Sequence, residues 1–233
     1  MARILTGSRA TRERKVRTFR RRLLRWYARH RRDLPWRGVR DPYAVLVSEV
    51  MLQQTQVARV VEFYTRFLAR YPTVEDLAAA RADEVRESWD GLGYYARARN
   101  LHAAARRIVR NPGGGLPDRP EELRRLPGIG RYTAGAVASL AFGADVAAVD
   151  TNVERVLARV FRLRGPRKSA ARGRRVWGLA SALVPRGRSA DWNQALMDLG
   201  ATVCTARAPR CPICPVAAVC SSVRARHSTS RAG

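Results

Sequence analysis

Apolar residues recur at helical spacing along most of the chain, and they do not settle into the alternation that a half-buried strand requires. Phe19, Leu23, Trp26 and Tyr27 fall on one face of an early helix, which the Asp33, Leu34, Pro35, Trp36 segment stops. Asp41 and Pro42 open a second, strongly apolar helix that the pattern carries to about Gln54. Helical spacing resumes at 60–69, 73–80, 83–89 and 95–109, and breaks at the glycine-rich loop 111–115. It returns at 120–125, 132–142, 152–163, 170–183 and 192–201. The pattern predicts an all-α fold with polar, frayed ends at 1–12 and 222–233.

A length of 233 residues with 46% apolar content supports one large core or two smaller ones and excludes wholesale disorder. No apolar run reaches membrane-spanning length, and nothing near Met1 resembles a secretory h-region. The expectation is a soluble, cytoplasmic, monomeric protein with no membrane partner. Charge changes the picture further. Forty-five Lys+Arg against 19 Asp+Glu give a formal +26 and a pI near 11.6. All but Lys15 and Lys168 are arginine. Genomic base composition can exchange lysine for arginine, but it does not create an excess of base over acid. Such a surface seeks a polyanion, nucleic acid foremost. The densest run, 9–32, holds twelve basic residues and one acid, Glu13; it reads as a solvated helix face, a phosphate-contacting arm, or both.

Four motifs carry candidate chemistry. All four cysteines, Cys204, Cys211, Cys214 and Cys220, lie within one seventeen-residue window. Without a secretory signal this is no disulfide framework. Structural zinc usually takes two paired hooks where this window has one, whereas four thiolates suit an iron–sulfur cluster. The segment LPGIGRYTAGA (126–136) places Gly128 and Gly130 in a tight turn before an apolar helix, where backbone amides can meet a phosphate. In VDTNVERVLAR (149–159), Thr151 and Glu154 fit a capping box, so Asp150 stands at the mouth of a helix, where negative charge is favoured. A plain capping carboxylate is the simpler reading of that aspartate taken alone. Finally, Glu49 lies in the apolar run of Tyr43, Val45, Leu46, Val50, Met51 and Leu52. A buried carboxyl there would have a raised pKa and could stay protonated as a general acid, whereas an exposed one would be ordinary helix surface. Two carboxyls pushed in opposite directions are the arrangement that breaks glycosidic bonds.

Together with SEVMLQQTQV (48–57) and GLGYYARARNLH (91–102), these motifs resemble those of the helix-hairpin-helix DNA glycosylases, specifically the MutY-type adenine glycosylases. The resemblance runs from about Arg31 to Cys220. It implies two helical lobes: a six-helix barrel with the hairpin, at 28–137, and an iron–sulfur lobe from 1–27 and 138–221, followed by a flexible tail at 222–233. DNA would bind between the lobes with the target base flipped out, and the cofactor would be a [4Fe–4S] cluster on the four cysteines.

Residue by residue, the resemblance makes Glu49 the acid that protonates adenine N7 and Asp150 the carboxylate that stabilises the sugar cation. Tyr132 and Asn152 would orient that aspartate and the attacking water. Trp36 and Arg37 would lie near the adenine pocket, Gln54 and Tyr94 would wedge into the base stack, and Gly128, Gly130 and Thr133 would hold the DNA backbone. Tyr132 stands where bifunctional endonuclease III-like enzymes carry a Schiff-base lysine, so a monofunctional glycosylase is expected. It would act on duplex DNA bearing adenine opposite guanine or 8-oxoguanine, on the bacterial nucleoid. Two alternatives remain: a thymine or uracil mismatch glycosylase, which would lack a glutamate at the Glu49 position, and a non-catalytic iron–sulfur DNA-binding protein. Thr151 stands where glycine is common among the adenine enzymes. The Nudix-like lesion-sensing domain usual in them is not part of this sequence, and the expected preference for 8-oxoguanine over guanine is accordingly modest.

Overall fold

The structure is a computed structural model that describes residues 8–111, 113, 115–166 and 169–223. Among these residues the regular structure is helical throughout: α1 (Arg9–His30), α2 (Pro42–Met51), α3 (Val57–Arg70), α4 (Val74–Ala79), α5 (Ala82–Glu87), α6 (Ala96–Val109), α7 (Pro120–Leu123), α8 (Arg131–Leu140), α9 (Thr151–Phe161), α10 (Ala170–Leu183) and α11 (Ser189–Thr202), with short 3₁₀ turns at Cys211–Ile213 and Ala217–Val219. None of these helices is long and apolar enough to cross a membrane.

The elements follow the predicted order, with shifts of a few residues at several ends and three differences of local cause. The first helix begins at Arg9, within the stretch expected to fray, because Ser8 caps it by accepting from the Thr11 amide and Arg9 pairs with Glu13. The second ends at Met51, three residues short of the expected end, and leads to a left-handed turn at Gln54. The 3₁₀ turns among the cysteines carry no periodic signal. Of the expected C-terminal tail only Ser222 and Val223 are described, and positions 112 and 114 of the expected loop lie outside the described residues.

The chain forms two compact units, Met1–Arg32 with Asp145–Gly233, and Asp33–Ala144. In the first, α1 lays Phe19 and Leu23 against α9, α10 and α11, where Phe19 meets the rings of Phe161 and Trp192 edge-on at 5.4 Å each. Polar contacts continue that docking beyond the apolar stripe. Arg20 donates to the carbonyls of Ala182, Leu183 and Val184 at the end of α10, Tyr27 donates to Gln194, and Arg32 holds the buried Asp198 of α11 at 2.7 Å. These contacts place the division after Arg32 and not at the expected 27. The outer side of α1 leaves Arg14, Arg17, Arg21 and Arg25 exposed.

The second unit is built around α2, which is buried from Tyr43 to Met51. Helices α3, α6 and α8 pack on it, α6 also packs on α4 and α5, and α7 packs on α8. Trp89 is fully buried, with the Phe67 ring edge-on at 5.7 Å. Because α8 runs to Leu140 within this unit, the second division falls at Ala144, past the expected 137.

Candidate functional site

In the Asp33–Ala144 unit, Glu49 sits in the last turns of α2 at 4% exposure, among Leu46, Val50 and Met51. Helices on several sides leave α2 no solvent face, so the reading of Glu49 as ordinary surface is excluded. Removal from water disfavours the charged form of a carboxyl. Just beyond α2, Gln54 adopts φ 59°, and across the unit Tyr94 adopts φ 52°. Both side chains are exposed, Tyr94 at 60%. A bulky residue in the left-handed region is a genuine outlier, and such strain clusters at functional sites.

The hairpin at 128–130 follows the expected logic in part. Gly128 has φ 74°, and a Cβ there would stand 2.7 Å from that of Asn100 on α6, so only glycine lets the turn approach that helix. Gly130 has an ordinary extended conformation and open space around it, and as N-cap of α8 it offers no side chain to the first-turn amides. A helix start without a side-chain cap is a place where phosphate binds. Thr133, by contrast, is buried, and its hydroxyl accepts from Gln53 Nε2 at 3.2 Å. Trp36 is also buried, its ring edge-on to Tyr64 at 5.5 Å, while Arg37 is half-buried. Tyr132 occupies the first turn of α8 and is half-buried.

In the other unit, the cap of α9 differs from the predicted one. Asp150, not Thr151, is the N-cap: its Oδ1 accepts from the Val153 amide at 2.7 Å, and Thr151 is the first helical residue. Aspartate satisfies first-turn amides well and complements the helix dipole. Its second oxygen accepts from Asn152 Nδ2 at 2.8 Å. Asn152 Oδ1 in turn accepts from Arg155 Nη2 at 2.7 Å, and Arg155 donates onward to the carbonyls of Gly200 and Cys204, each at 2.8 Å. A hydrogen-bonded chain therefore runs from the carboxylate to the first cysteine. Gly200 makes it possible, because a Cβ there would lie 2.6 Å from that of Asn152.

The four cysteines line one cavity of about 100 Å³, walled also by Val156, Val160, Leu199, Val203 and Val216. Arg159 braces its rim, donating to the carbonyls of Cys204, Thr205 and Ala206 and approaching Cys204 Sγ at 3.4 Å. Burial pushes the Cys214 thiol up to about 11, with the other three cysteines adding to the rise. Among the described residues no group of three or more His, Cys, Asp or Glu is set to hold a single ion. An all-sulfur donor set around one apolar cavity fits a multi-iron cluster, whose irons spread their ligands, better than one zinc ion.

Sequence reasoning missed Arg97, Asn100, Arg155 and Gly200. Arg97 shares its register on α6 with Leu101, Ala104 and Ile108, and that spacing was the available signal of its burial. Arg155 carried no signal that set it apart from its many neighbours.

Residues 47–178 match the family described as HhH-GPD superfamily base excision DNA repair protein. The adenine DNA glycosylase of Homo sapiens is 50% identical over 214 residues, covering 88% of this chain and 39% of that protein. That of Mycobacterium tuberculosis is 46% identical over 191 residues, covering 81% and 62% respectively. The chain thus spans less than two thirds of these relatives. Among solved structures, a thermostable thymine-DNA glycosylase superposes with TM-score 0.83 at 34% identity, over 91% of this chain and 98% of that one. A non-covalent endonuclease III–DNA complex superposes with TM-score 0.76 at 27% identity, over 92% and 98%.

Proposed function

Since the chain belongs to the HhH-GPD superfamily of base excision DNA repair proteins, we propose that it is a monofunctional DNA glycosylase that removes adenine mispaired with guanine or 8-oxoguanine from duplex DNA. The observation that carries this reading is the burial of Glu49 within α2. A carboxyl kept from water can hold a proton at neutral pH and give it to a leaving group. Adenine has an N7 to receive it; a thymine or uracil has none. The 50% identity to a protein named for adenine supports the same choice. The thymine reading draws on the 0.83 superposition with a thymine-DNA glycosylase, and Glu49 is the residue that argues against it.

The proposed reaction follows from these two side chains. Glu49 passes its proton to N7 of the extruded adenine, and the electron pair of the C1′–N9 bond leaves with the base. The Asp150 carboxylate, which Val153 and Asn152 hold by one hydrogen bond to each oxygen, would offset the positive charge left on the sugar. Fixed negative charge aimed at a developing cation is a large source of rate. Water adds at C1′ and loses a proton to solvent, leaving an abasic site. Tyr132 has no amine with which to form a Schiff base, so the strand stays intact.

Cys204, Cys211, Cys214 and Cys220 would hold a [4Fe–4S] cluster. Bound there, it would cross-link the four thiolates and tie down the loop between Cys204 and Cys211, which carries Arg207 and Arg210. Duplex DNA is the partner, met through the hairpin and the arginine-rich surface.

The test is incubation with duplexes containing one A:G, A:8-oxoguanine, T:G or U:G pair, with and without alkali afterwards. Cleavage of the adenine strand only after alkali is the expected result. Cleavage without alkali overturns the monofunctional assignment, and cleavage confined to T:G and U:G overturns adenine.

A further inference from the structure

Arg97, in the first turn of α6, has a buried guanidinium that the proposed chemistry does not use. Its Nη1 donates to the carbonyls of Val50, Met51 and Gln53 at 3.2, 2.6 and 2.6 Å. Its Nη2 donates to those of Leu92 and Gly93 at 3.3 and 2.9 Å. The group also lies over the rings of Trp89 and Tyr94, at 5.5 and 5.4 Å from their centroids. Three of these acceptors belong to the end of α2 and the turn after it, where a helix leaves carbonyls without intrahelical partners. The other two belong to the 92–93 turn. One planar fork therefore ties together two turns far apart in sequence.

What those turns carry gives the tie its meaning. Gln54 directly follows one gripped carbonyl and Tyr94 directly follows another. Both are left-handed, at φ 59° and φ 52°, and both side chains are exposed. Such strain persists only where the surroundings over-determine it. Gln53 extends the same brace, since its side chain donates to Thr133 in the first turn of α8.

We infer that Arg97 is a positioning residue: it locks the Gln54 and Tyr94 turns, and through Gln53 the hairpin helix, into one rigid platform so that base extrusion does not splay the two wedges. The inference rests on the reading of Gln54 and Tyr94 as wedges in duplex DNA. Lysine cannot replace the arginine, because an ammonium has three donors and no planar fork to span both turns.

The test uses Arg97→Lys in the full chain and two probe duplexes. One carries 2-aminopurine, which brightens on leaving the stack, in place of the target adenine opposite guanine. The other carries a stable abasic analogue, where no base needs extruding. The variant should keep the parental circular dichroism and abasic-duplex affinity, yet lose the 2-aminopurine rise. Its single-turnover excision from A:G should fall about 100-fold, the scale set by ångström-level misplacement. A folded variant with the parental rise overturns the inference. So does a parallel loss of melting temperature, abasic-duplex affinity and fluorescence, which a purely structural brace would give.

If Arg97→Lys does not fold, Gly93→Ala disturbs the same grip. A Cβ there meets nothing within 4 Å, but φ of 77° resists a side chain, and the Gly93 carbonyl is held by both Arg97 and Trp89 Nε1. The same selective loss is expected, and a parental rise overturns the inference. A parent protein that itself gives no rise removes the wedge reading and the inference with it. A parent that gives the rise without releasing adenine overturns only the proposed activity, and the comparison of variants still stands.

Discussion

Glu49 owes its burial to its helix: α2 is wrapped on several sides, so every register of it is interior, and the one carboxyl in the run goes inside with its neighbours. Asp150 owes its position to the opposite rule, that a helix start exposes amides a carboxylate can satisfy. Glu49→Gln keeps the size of the side chain but has no acidic proton, and Asp150→Asn keeps a cap but not the charge. Each should lose about 10²–10⁴-fold in single-turnover excision, with mismatch-duplex binding retained in a gel-shift titration. Parental excision by Glu49→Gln would place the acid elsewhere.

A different residue supplies a pH prediction. Burial holds His102 below its ordinary 6.5, with Arg106 adding to the fall and the Ala78 and Ala80 backbone opposing it. The unfolded chain then binds the proton more readily than the folded one. Stability should decline as pH drops below 6.5, until the folded-state value is passed. Thermal melts across that range should show the decline in the parent and a flatter profile in His102→Asn. Equal profiles would show that His102 does not titrate differently on folding.

Much of the candidate site is legible residue by residue, because Glu49, Asp150 and the cysteines stand out through an apolar run, a cap and a spacing. Thr133 is not: its place in the hairpin motif suggests a DNA contact, while its bond to Gln53 depends on the turn after α2, 80 positions away. Arg97 escaped for a related reason. In a chain so rich in arginine, one more carries little information, and only its register on α6 marks it.

Among the elements, α9 and α11 show how a helix pair can set a functional group. Their approach is close at Gly200, whose missing side chain leaves room for Asn152. Arg155 then bonds to Asn152, to Gly200 and to Cys204. Gly200→Ala must push the helices apart, an overpacking that costs roughly 1–3 kcal/mol, and should misplace Asn152 and with it Asp150. The expected result is a lowered melting temperature together with slower excision at saturating DNA. Slower excision absent at parental stability would mean that the helix pair tolerates the methyl group. Helix order was legible from periodicity alone; the ends were not, since the early stop of α2 and the cap by Asp150 are decided by local hydrogen bonds that spacing does not encode.

For the whole molecule, a charge of +26 means that the surface repels itself unless a polyanion is near. Phosphate contacts give affinity without choosing a base, so in the proposed reaction the choice made by these residues rests on Glu49, the wedges and the cost of extrusion. The four cysteines are proposed to add order and not chemistry. Anaerobically purified protein should carry about four irons and four sulfides per chain, as four-thiolate ligation of a cubane implies. Cys211→Ser should lose them along with duplex binding. Stoichiometric zinc without iron would contradict the cluster.

The proposed activity is cleavage of the bond between adenine and its sugar. Mass spectrometry of the small molecules released from A:G and T:G duplexes, under single-turnover conditions at one salt concentration, tests it most directly. Free adenine from A:G, no free thymine from T:G, and an intact strand bearing an abasic site are expected. Free thymine without adenine, or no free base from either duplex, would contradict that activity.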